Sequence, residues 1–296
     1  MNFFKAKDGT QIFFKDAGSG APVILIHGWP LNADMFEDQT YRLLEEGYRV
    51  ISYDRRGFGR SDQPSQGYDY NTFASDLNDL IEHLGVNQVS LVGFSMGAGE
   101  VVRYISKFGV EKVACTALVS GVTPIVGQTD DNPNGVPEAK IKEIIDGIKK
   151  DRFGFFAPFF KDFYGVGMLS HPVTDETLAW ARSATNMAGL KATINSVDAF
   201  VYTDFRPEMA AVTVPTLIIH GTADKTVPIV TAGDQAAKLI PHAQYKKYEG
   251  APHGLNITHK DQFNNDLVTF LETHASKTVD PLLSKKGAGA ETLRAH

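Results

Sequence analysis

The residues from Gly93 to Gly97 read Gly-Phe-Ser-Met-Gly, a pattern that can present a serine as a nucleophile. The apolar run Val89–Val92 before it predicts a strand, and Met96–Phe108 after it predicts a helix. Glycines on either side of Ser95 would let strand and helix approach closely, leaving the hydroxyl exposed on a sharp turn. The alternative interpretation is a tight strand-to-helix turn in which Ser95 only caps the helix. The strand and helix context favours the nucleophile.

A nucleophilic serine needs a base, and the base needs a carboxylate to orient it. Among nine histidines, only His253 is predicted on a loop just after the last strand and beside a glycine. His27 and His220 each follow a strand directly and are interpreted as structural. Asp224 is the only acidic residue between the predicted strand Thr216–Ile219 and Asp234, although it could also be a turn or helix-cap residue. The sequence therefore predicts the triad in the chain order Ser95, Asp224, His253.

An acyl-transfer site also needs two N–H groups that stabilise the developing oxyanion. One should be the backbone N–H of Met96, which follows the nucleophile. The other should come from the loop after the strand Val23–Ile26, where Pro30 has no N–H and Trp29 is the preferred donor. Trp29 could also serve as a packing aromatic, and the two roles are compatible.

Aromatic residues crowd the segment from Phe153 to Tyr164. They could form the core of a helical cap, but seven aromatic side chains in so short a segment exceed what one internal face needs. We therefore expect some of them to line an apolar substrate pocket above Ser95. The residues predicted to bind substrate are Pro30, Phe94, Phe159, Phe163 and Val227.

The elements that must position these residues follow from the pattern of apolar runs. Short continuous apolar runs predict strands buried on both faces, and they alternate with helical patterns near 34–46, 71–84, 96–108, 229–240 and 261–274. This alternation predicts an α/β fold with a mostly parallel sheet of eight strands and helices on both faces. The interval 123–212 lacks a convincing strand and is predicted to be a helical cap, with helices at 138–150 and 175–204. Residues 1–122 and 213–275 would form the core, and 276–296 a peripheral or disordered tail.

Composition excludes several other classes of protein. The 296 residues carry a formal net charge of −6 and show no basic stripe for nucleic acid. The single cysteine, Cys115, is predicted to be an inert core thiol, and no metal or nucleotide motif appears. No apolar run approaches the ~20 residues of a membrane span, so the expectation is a cytoplasmic protein with no metal, no cofactor and no membrane partner.

Together the motifs resemble those of the α/β-hydrolases, and more narrowly the bacterial cofactor-free haloperoxidase (perhydrolase) and aryl esterase group. The matching segments are His27–Leu31, Tyr53–Ser61, Gly93–Glu100, Asp131–Gly135 and the residues around Asp224 and His253. The resemblance implies the triad and oxyanion hole named above, ester hydrolysis of a small-molecule substrate, peroxyacid formation as a side activity, and neither haem nor metal. It also implies that the protein could form homo-oligomers. Ala98 departs from the glycine of many relatives.

Other functions remain open on the same fold. Haloalkane dehalogenases and epoxide hydrolases use aspartate at the position of Ser95, which argues against both. A γ-lactam or amide hydrolase, a carbon–carbon hydrolase or a hydroxynitrile lyase could use the same triad. A receptor-like member of the fold without catalysis is the alternative that is not an enzyme.

Overall fold

A computed structural model describes residues 2–275 of the chain. The predicted tail, 276–296, lies outside the described residues. No helix within residues 2–275 is both long enough and apolar enough to cross a bilayer.

Eight strands form one sheet in the order β1-β2-β4-β3-β5-β6-β7-β8. Their bounds are β1 Asn2–Lys5, β2 Gln11–Ala17, β3 Pro22–Ile26, β4 Arg49–Tyr53, β5 Val89–Phe94, β6 Val113–Val119, β7 Thr216–Gly221 and β8 Gln244–Tyr248. Strand β2 pairs antiparallel with both of its neighbours, β1 and β4. All other neighbouring strands of this sheet run parallel. The predicted α/β fold with a mostly parallel eight-stranded sheet is therefore confirmed.

Outside the segment between β6 and β7, each predicted helical stretch is occupied by a helix within a few residues of the predicted bounds. The helices are α1 Glu37–Glu45, α2 Tyr70–Leu84, α3 Met96–Phe108, α4 Glu138–Tyr164, α5 Asp175–Asn186, α6 Leu190–Tyr202, α7 Gly233–Leu239, α8 Leu255–Thr258 and α9 Lys260–His274. Strands β3 and β5 are buried almost throughout, as their continuous apolar sequences require. Asp69 caps α2 by accepting a hydrogen bond from the Thr72 N–H, and Gly85 ends that helix in a left-handed conformation.

The order of the strands determines where a site can form. The chain runs from β3 to β4 on one side of β3 and later returns to β5 on the other side. The loops that follow β3 and β5 therefore diverge and leave a crevice at the carboxyl edge of the sheet, where α/β proteins bind ligands.

The segment between β6 and β7 covers this edge with α4, α5 and α6. Helix α4 is longer than predicted because it resumes after a break at Asp151, whose backbone is extended. The Asp151 carboxylate accepts a hydrogen bond from the Gly154 N–H and so caps the second half of α4, which carries the aromatic residues. The predicted helix over 175–204 is divided by residues 187–189 into α5 and α6.

Close backbone packing at Gly97 yields a prediction about stability. A Cβ on Gly97 would lie 2.3 Å from the carbonyl oxygen of Ile26, so α3 would have to move away from β3. We expect Gly97→Ala to lower the free energy of unfolding by about 1–3 kcal/mol, as overpacking does in other cores. Chemical denaturation measures this change.

Gly167→Ala is the matched control, because a Cβ at Gly167 would meet no atom within 4 Å. This variant should stay within about 0.5 kcal/mol of the parent, as surface substitutions usually do. Equal stability of the two variants would contradict the proposed fit of α3 against β3.

Candidate active site

Ser95 occupies a strained turn between β5 and α3. Its backbone has φ of 54° and ψ of −116°, a conformation that costs a residue with a side chain on the order of 1–3 kcal/mol. The Ser95 N–H donates to the Val119 carbonyl at 2.8 Å, and the Ser95 carbonyl accepts from the Ala98 N–H at 3.0 Å. A Cβ on Gly93 would lie 2.4 Å from the Gly97 carbonyl oxygen, so the turn can close only with glycine there. The turn holds the Ser95 side chain at the N-terminus of α3.

Two consecutive hydrogen bonds link the three residues that are predicted to form a triad. Ser95 Oγ is 2.9 Å from His253 Nε2, and His253 Nδ1 is 2.7 Å from Asp224 Oδ2. All three residues are buried, although 29 residues separate Asp224 from His253 and 158 separate Ser95 from His253. This arrangement lets the imidazole accept the serine proton while the carboxylate stabilises the imidazolium.

Asp224 is held by its own loop and by a second histidine. Its Oδ1 accepts hydrogen bonds from the N–H groups of Thr226 and Val227 at 2.9 and 2.8 Å. His220 Nε2 lies 3.2 Å from Oδ2 and 2.8 Å from the Val227 carbonyl oxygen. Burial opposes ionisation of Asp224, but the charge of His253 and the hydrogen bonds from His220 and His253 outweigh it and lower the pKa of Asp224. The carboxylate is therefore ionised where the imidazole needs it.

His253 is enclosed by aromatic rings and anchored through its backbone. The rings of Phe163 and Phe94 contact the imidazole edge to face, with centroids 4.9 and 5.3 Å away. The Ser120 hydroxyl donates to the His253 carbonyl at 3.0 Å. Phe94 and Phe163, predicted to bind substrate, thus pack against the imidazole instead.

Two backbone N–H groups flank Ser95 without a protein acceptor. Among the hydrogen bonds of residues 2–275, neither the Trp29 nor the Met96 backbone N–H donates to a protein atom. The loop after β3 lies against the nucleophile turn, since a Cβ on Gly28 would be 2.8 Å from the Phe94 ring and 3.0 Å from Ser95 Cβ. These two groups are the predicted oxyanion donors, and a buried unpaired N–H is costly unless something binds it.

A cavity of about 500 Å³ opens above Ser95. Most of its wall is apolar and comes from α4, α6 and the loop after β6, with Val122, Val126, Ile141, Ile144, Phe155, Val197, Phe200 and Val201. Of the predicted binding residues, Phe159 and Val227 line this cavity together with Trp29, Ser95 and Met96, whereas Pro30, Phe94 and Phe163 do not. Charged residues also reach its wall at Lys140, Glu143, Asp162 and Lys225. Such a site suits an ester with an apolar acyl or aryl group.

The sequence predicts a structural role for His220, whereas the structure places its Nε2 beside the Asp224 carboxylate. The available signal is its spacing, because His220 lies one residue before the end of β7 and four residues before Asp224, and a tight loop brings the two together. No cluster of three or more potential metal ligands occurs among the described residues.

Comparison with known proteins places these features in context. A family model of the α/β hydrolase fold matches residues 21–260. Non-heme chloroperoxidase CPO-A1 of Kitasatospora aureofaciens is 39% identical over 275 residues, which are 92% of this chain and 99% of that protein. The bifunctional esterase/perhydrolase DCH of Acinetobacter calcoaceticus is 37% identical over 281 residues, 92% of this chain and 100% of that protein. The crystal structure of bromoperoxidase from Bacillus anthracis superposes with a TM-score of 0.88 at 41% identity, covering 92% of this chain and 100% of that one.

The contact between Ser95 and His253 yields a prediction about covalent labelling. A fluorophosphonate probe should react with Ser95 Oγ, forming an oxygen–phosphorus bond and releasing fluoride, while His253 accepts the proton. Ser95→Ala should abolish labelling, and His253→Gln should slow it on the order of 10³-fold or more, since nucleophile and base act as a unit. Mass spectrometry of the labelled peptide and the rate of adduct formation measure both effects.

One variant serves as the control for the labelling experiment. His259→Gln removes a histidine near the same loop that contacts Thr258 rather than Ser95. It should label close to the parent rate. Loss of labelling in His259→Gln with normal labelling in His253→Gln would show that the base has been assigned to the wrong histidine.

Proposed function

The chain belongs to the α/β-hydrolase family, in its group of non-haem haloperoxidases, perhydrolases and esterases, and we propose that it cleaves small apolar or aryl carboxylic esters through an acyl-enzyme on Ser95. It is a serine hydrolase with esterase and perhydrolase activity. The observation that carries the proposal is the hydrogen-bonded sequence Ser95–His253–Asp224 at the base of an apolar cavity.

The first half of the reaction transfers the acyl group to the enzyme. Ser95 Oγ attacks the carbonyl carbon as His253 Nε2 takes its proton. The resulting oxyanion accepts hydrogen bonds from the N–H groups of Trp29 and Met96, and Asp224 stabilises the imidazolium. The tetrahedral intermediate then breaks its bond to the leaving alcohol, which takes the proton from His253.

The second half releases the acyl group. His253 removes a proton from water, the hydroxyl oxygen attacks the acyl carbon, and Ser95 leaves with the proton from His253. The products are a carboxylic acid and the free enzyme. When hydrogen peroxide takes the place of water, the same steps give a peroxyacid. Esterase and perhydrolase activities therefore share one intermediate.

The walls of the cavity determine which esters fit. Phe159 stands at the centre of an aromatic cluster, with its ring 5.5 Å from Trp29 and 5.8 Å from Phe163. Because it also lines the cavity, an apolar acyl or aryl group can replace water against it. Small esters that leave this wall uncovered gain less from it.

Removal of triad residues should affect turnover of p-nitrophenyl acetate in a graded way. We expect Ser95→Ala and His253→Ala each to lower kcat by about 10⁴–10⁶, because the two act together. Asp224→Asn should cost about 10²–10⁴, since an amide stabilises the wrong imidazole tautomer. Steady-state kinetics on folded variants checks these values. A parent protein that shows no turnover, or only a single burst, would favour a receptor-like role.

Removal of the Phe159 ring should change specificity according to acyl length. The lost contact is worth about 1–2 kcal/mol, so Phe159→Ala should lower kcat/KM for p-nitrophenyl hexanoate about 5- to 30-fold and change the acetate value little. Phe153→Ala is the matched control, because Phe153 lies on the same helix and is exposed, with a fractional exposure of 62%. Equal losses on acetate and hexanoate would contradict this role for Phe159.

A further inference from the structure

Four polar side chains lie fully buried behind the loop that follows β3, and the mechanism above uses none of them. They are His27, Tyr53, Arg55 and Glu100. Arg55 pairs with Glu100 Oε2 through Nη2 at 2.6 Å and donates from the same nitrogen to the His27 carbonyl at 2.9 Å. The Tyr53 hydroxyl donates to Glu100 Oε1. Burying an ion pair so completely costs desolvation free energy, so this cluster is not explained by stability alone.

The hydrogen bonds of His27 determine which of its ring nitrogens carries the proton. The Arg55 backbone N–H donates to His27 Nε2 at 2.9 Å, and since a backbone N–H can only donate, Nε2 holds a lone pair. Burial and, after it, the charge of Arg55 hold the pKa of His27 well below its ordinary value, so the ring is neutral. The single ring proton is therefore on Nδ1, which lies 2.9 Å from the Gly28 carbonyl oxygen and donates to it.

This hydrogen bond sets the orientation of the peptide plane between Gly28 and Trp29. The peptide is trans, so its carbonyl oxygen and its N–H point in opposite directions. The Leu31 N–H also donates to the Gly28 oxygen, at 3.1 Å. With that oxygen held on the side of the His27 ring, the Trp29 N–H must point to the other side.

Contacts around the loop keep this plane beside the nucleophile. Gly28 packs against Phe94 and Ser95 so closely that a Cβ would overlap them. The Trp29 indole N–H donates to the Thr193 carbonyl at 2.9 Å, which fixes the side chain on α6. The Trp29 backbone N–H itself has no protein acceptor among the described residues.

We propose that His27 is a positioning residue for the oxyanion hole, whose Nδ1–H holds the Gly28 carbonyl so that the Trp29 N–H points at the carbonyl oxygen of the substrate. Arg55 in turn holds His27 through its ring and its carbonyl, and Glu100, which also accepts from Tyr53, holds Arg55. The inference rests on the proposed function, because it assigns a supporting role in the same reaction. The oxyanion forms only as the bond to Ser95 forms, so loss of this support should lower kcat and leave KM nearly unchanged.

Three substitutions distinguish the contributions of the two hydrogen bonds that the His27 ring makes. In His27→Asn the side-chain amide nitrogen can occupy the position of Nδ1 and donate to Gly28. In His27→Gln the amide reaches the position of Nε2 and can accept from Arg55, but it has no donor near Gly28. His27→Leu removes both hydrogen bonds.

We expect His27→Leu and His27→Gln to lower kcat for p-nitrophenyl acetate about 10- to 100-fold with KM within about twofold. The loss is smaller than the about 10²–10³ that removal of one oxyanion donor costs, because the Trp29 N–H remains and only its orientation is no longer held. His27→Asn should lose at most about fivefold. If His27→Leu does not fold, the comparison of Asn with Gln still decides the question. Similar kcat losses in Asn and Gln, or losses that follow thermal stability instead, would mean that His27 only supports the fold and would overturn the proposal.

A second measurement is the inhibition constant of an alkyl trifluoromethyl ketone. Ser95 Oγ adds to the ketone carbon, and the tetrahedral adduct carries an oxyanion. The inhibition constant should rise in parallel with the fall in kcat for Leu and Gln, and an unchanged constant would overturn the proposal. Failure of the proposed function is distinguishable, because the parent protein would then neither turn over the ester nor label at Ser95. Turnover by the parent together with an unaffected His27→Leu would overturn the role of His27 alone.

Discussion

Close contact between three backbone segments at Gly28, Gly93 and Gly97 is the constraint on which the site depends. A side chain at any of these positions would overlap its neighbour, and the overlap at Gly93 and Gly97 is with backbone atoms that cannot rotate away. The loop after β3, the end of β5 and the start of α3 can therefore meet around Ser95. This contact places a strained serine, a free helix N-terminus and a second loop N–H within one small volume. The strain at Ser95 is balanced by the packing of the parallel sheet, in which β3 and β5 are neighbours.

The electrostatics of the site are fixed by the fold before any substrate binds. Asp224 receives two backbone N–H groups on one oxygen and faces two imidazoles with the other, so its charge is held without help from solvent. On the opposite side of Ser95, buried hydrogen bonds run from Glu100 and Arg55 to the loop that carries Trp29. Dipoles that are already oriented need not reorganise during the reaction, and this is the largest source of rate enhancement in many enzymes. Both sides of Ser95 therefore carry groups whose orientation is fixed in advance: the Asp224 carboxylate faces the imidazole that becomes positive, and the backbone N–H groups face the oxygen that becomes negative.

Much of this could be predicted from the sequence, because strong local signals coincide with loop positions. Three distant residues can be grouped from the strand before Ser95, the glycine pair around it, and the placement of Asp224 and His253 after later strands.

The directions of side chains cannot be predicted in the same way. Phe94 and Phe163 are predicted in the pocket, yet both rings contact the imidazole. Phe163 lies on the side of α4 that covers His253 while Phe159 faces the cavity, and Phe94 ends β5 directly before Ser95. The break in α4 at Asp151 is not predicted from the sequence either. It depends on the Asp151 carboxylate accepting a hydrogen bond from the Gly154 N–H, and no proline or glycine pattern marks it. His27 and His220 have the same sequence context, since each comes before a glycine at the end of a strand. Only the structure shows that His27 contacts the Gly28 carbonyl and that His220 contacts Asp224.

The proposed acyl-enzyme mechanism accounts for two activities at one site. Water and hydrogen peroxide are both small, both are activated by loss of a proton to His253, and both attack the same acyl carbon. The triad therefore cannot distinguish them by charge or size. Hydrogen peroxide is more acidic than water and is an α-nucleophile, so part of any preference is intrinsic to the nucleophile. Contacts near Ser95 that differ between the two add to it by about the worth of one hydrogen bond, about 0.5–1.5 kcal/mol. Such a contact changes the ratio of the two rates by roughly two- to tenfold. The acyl group of the proposed substrate would instead lie against the whole apolar wall formed by α4 and α6. We therefore expect acyl specificity and nucleophile choice to depend on different parts of the cavity, so that substitutions in α4 alter the first and substitutions in the loops around Ser95 alter the second.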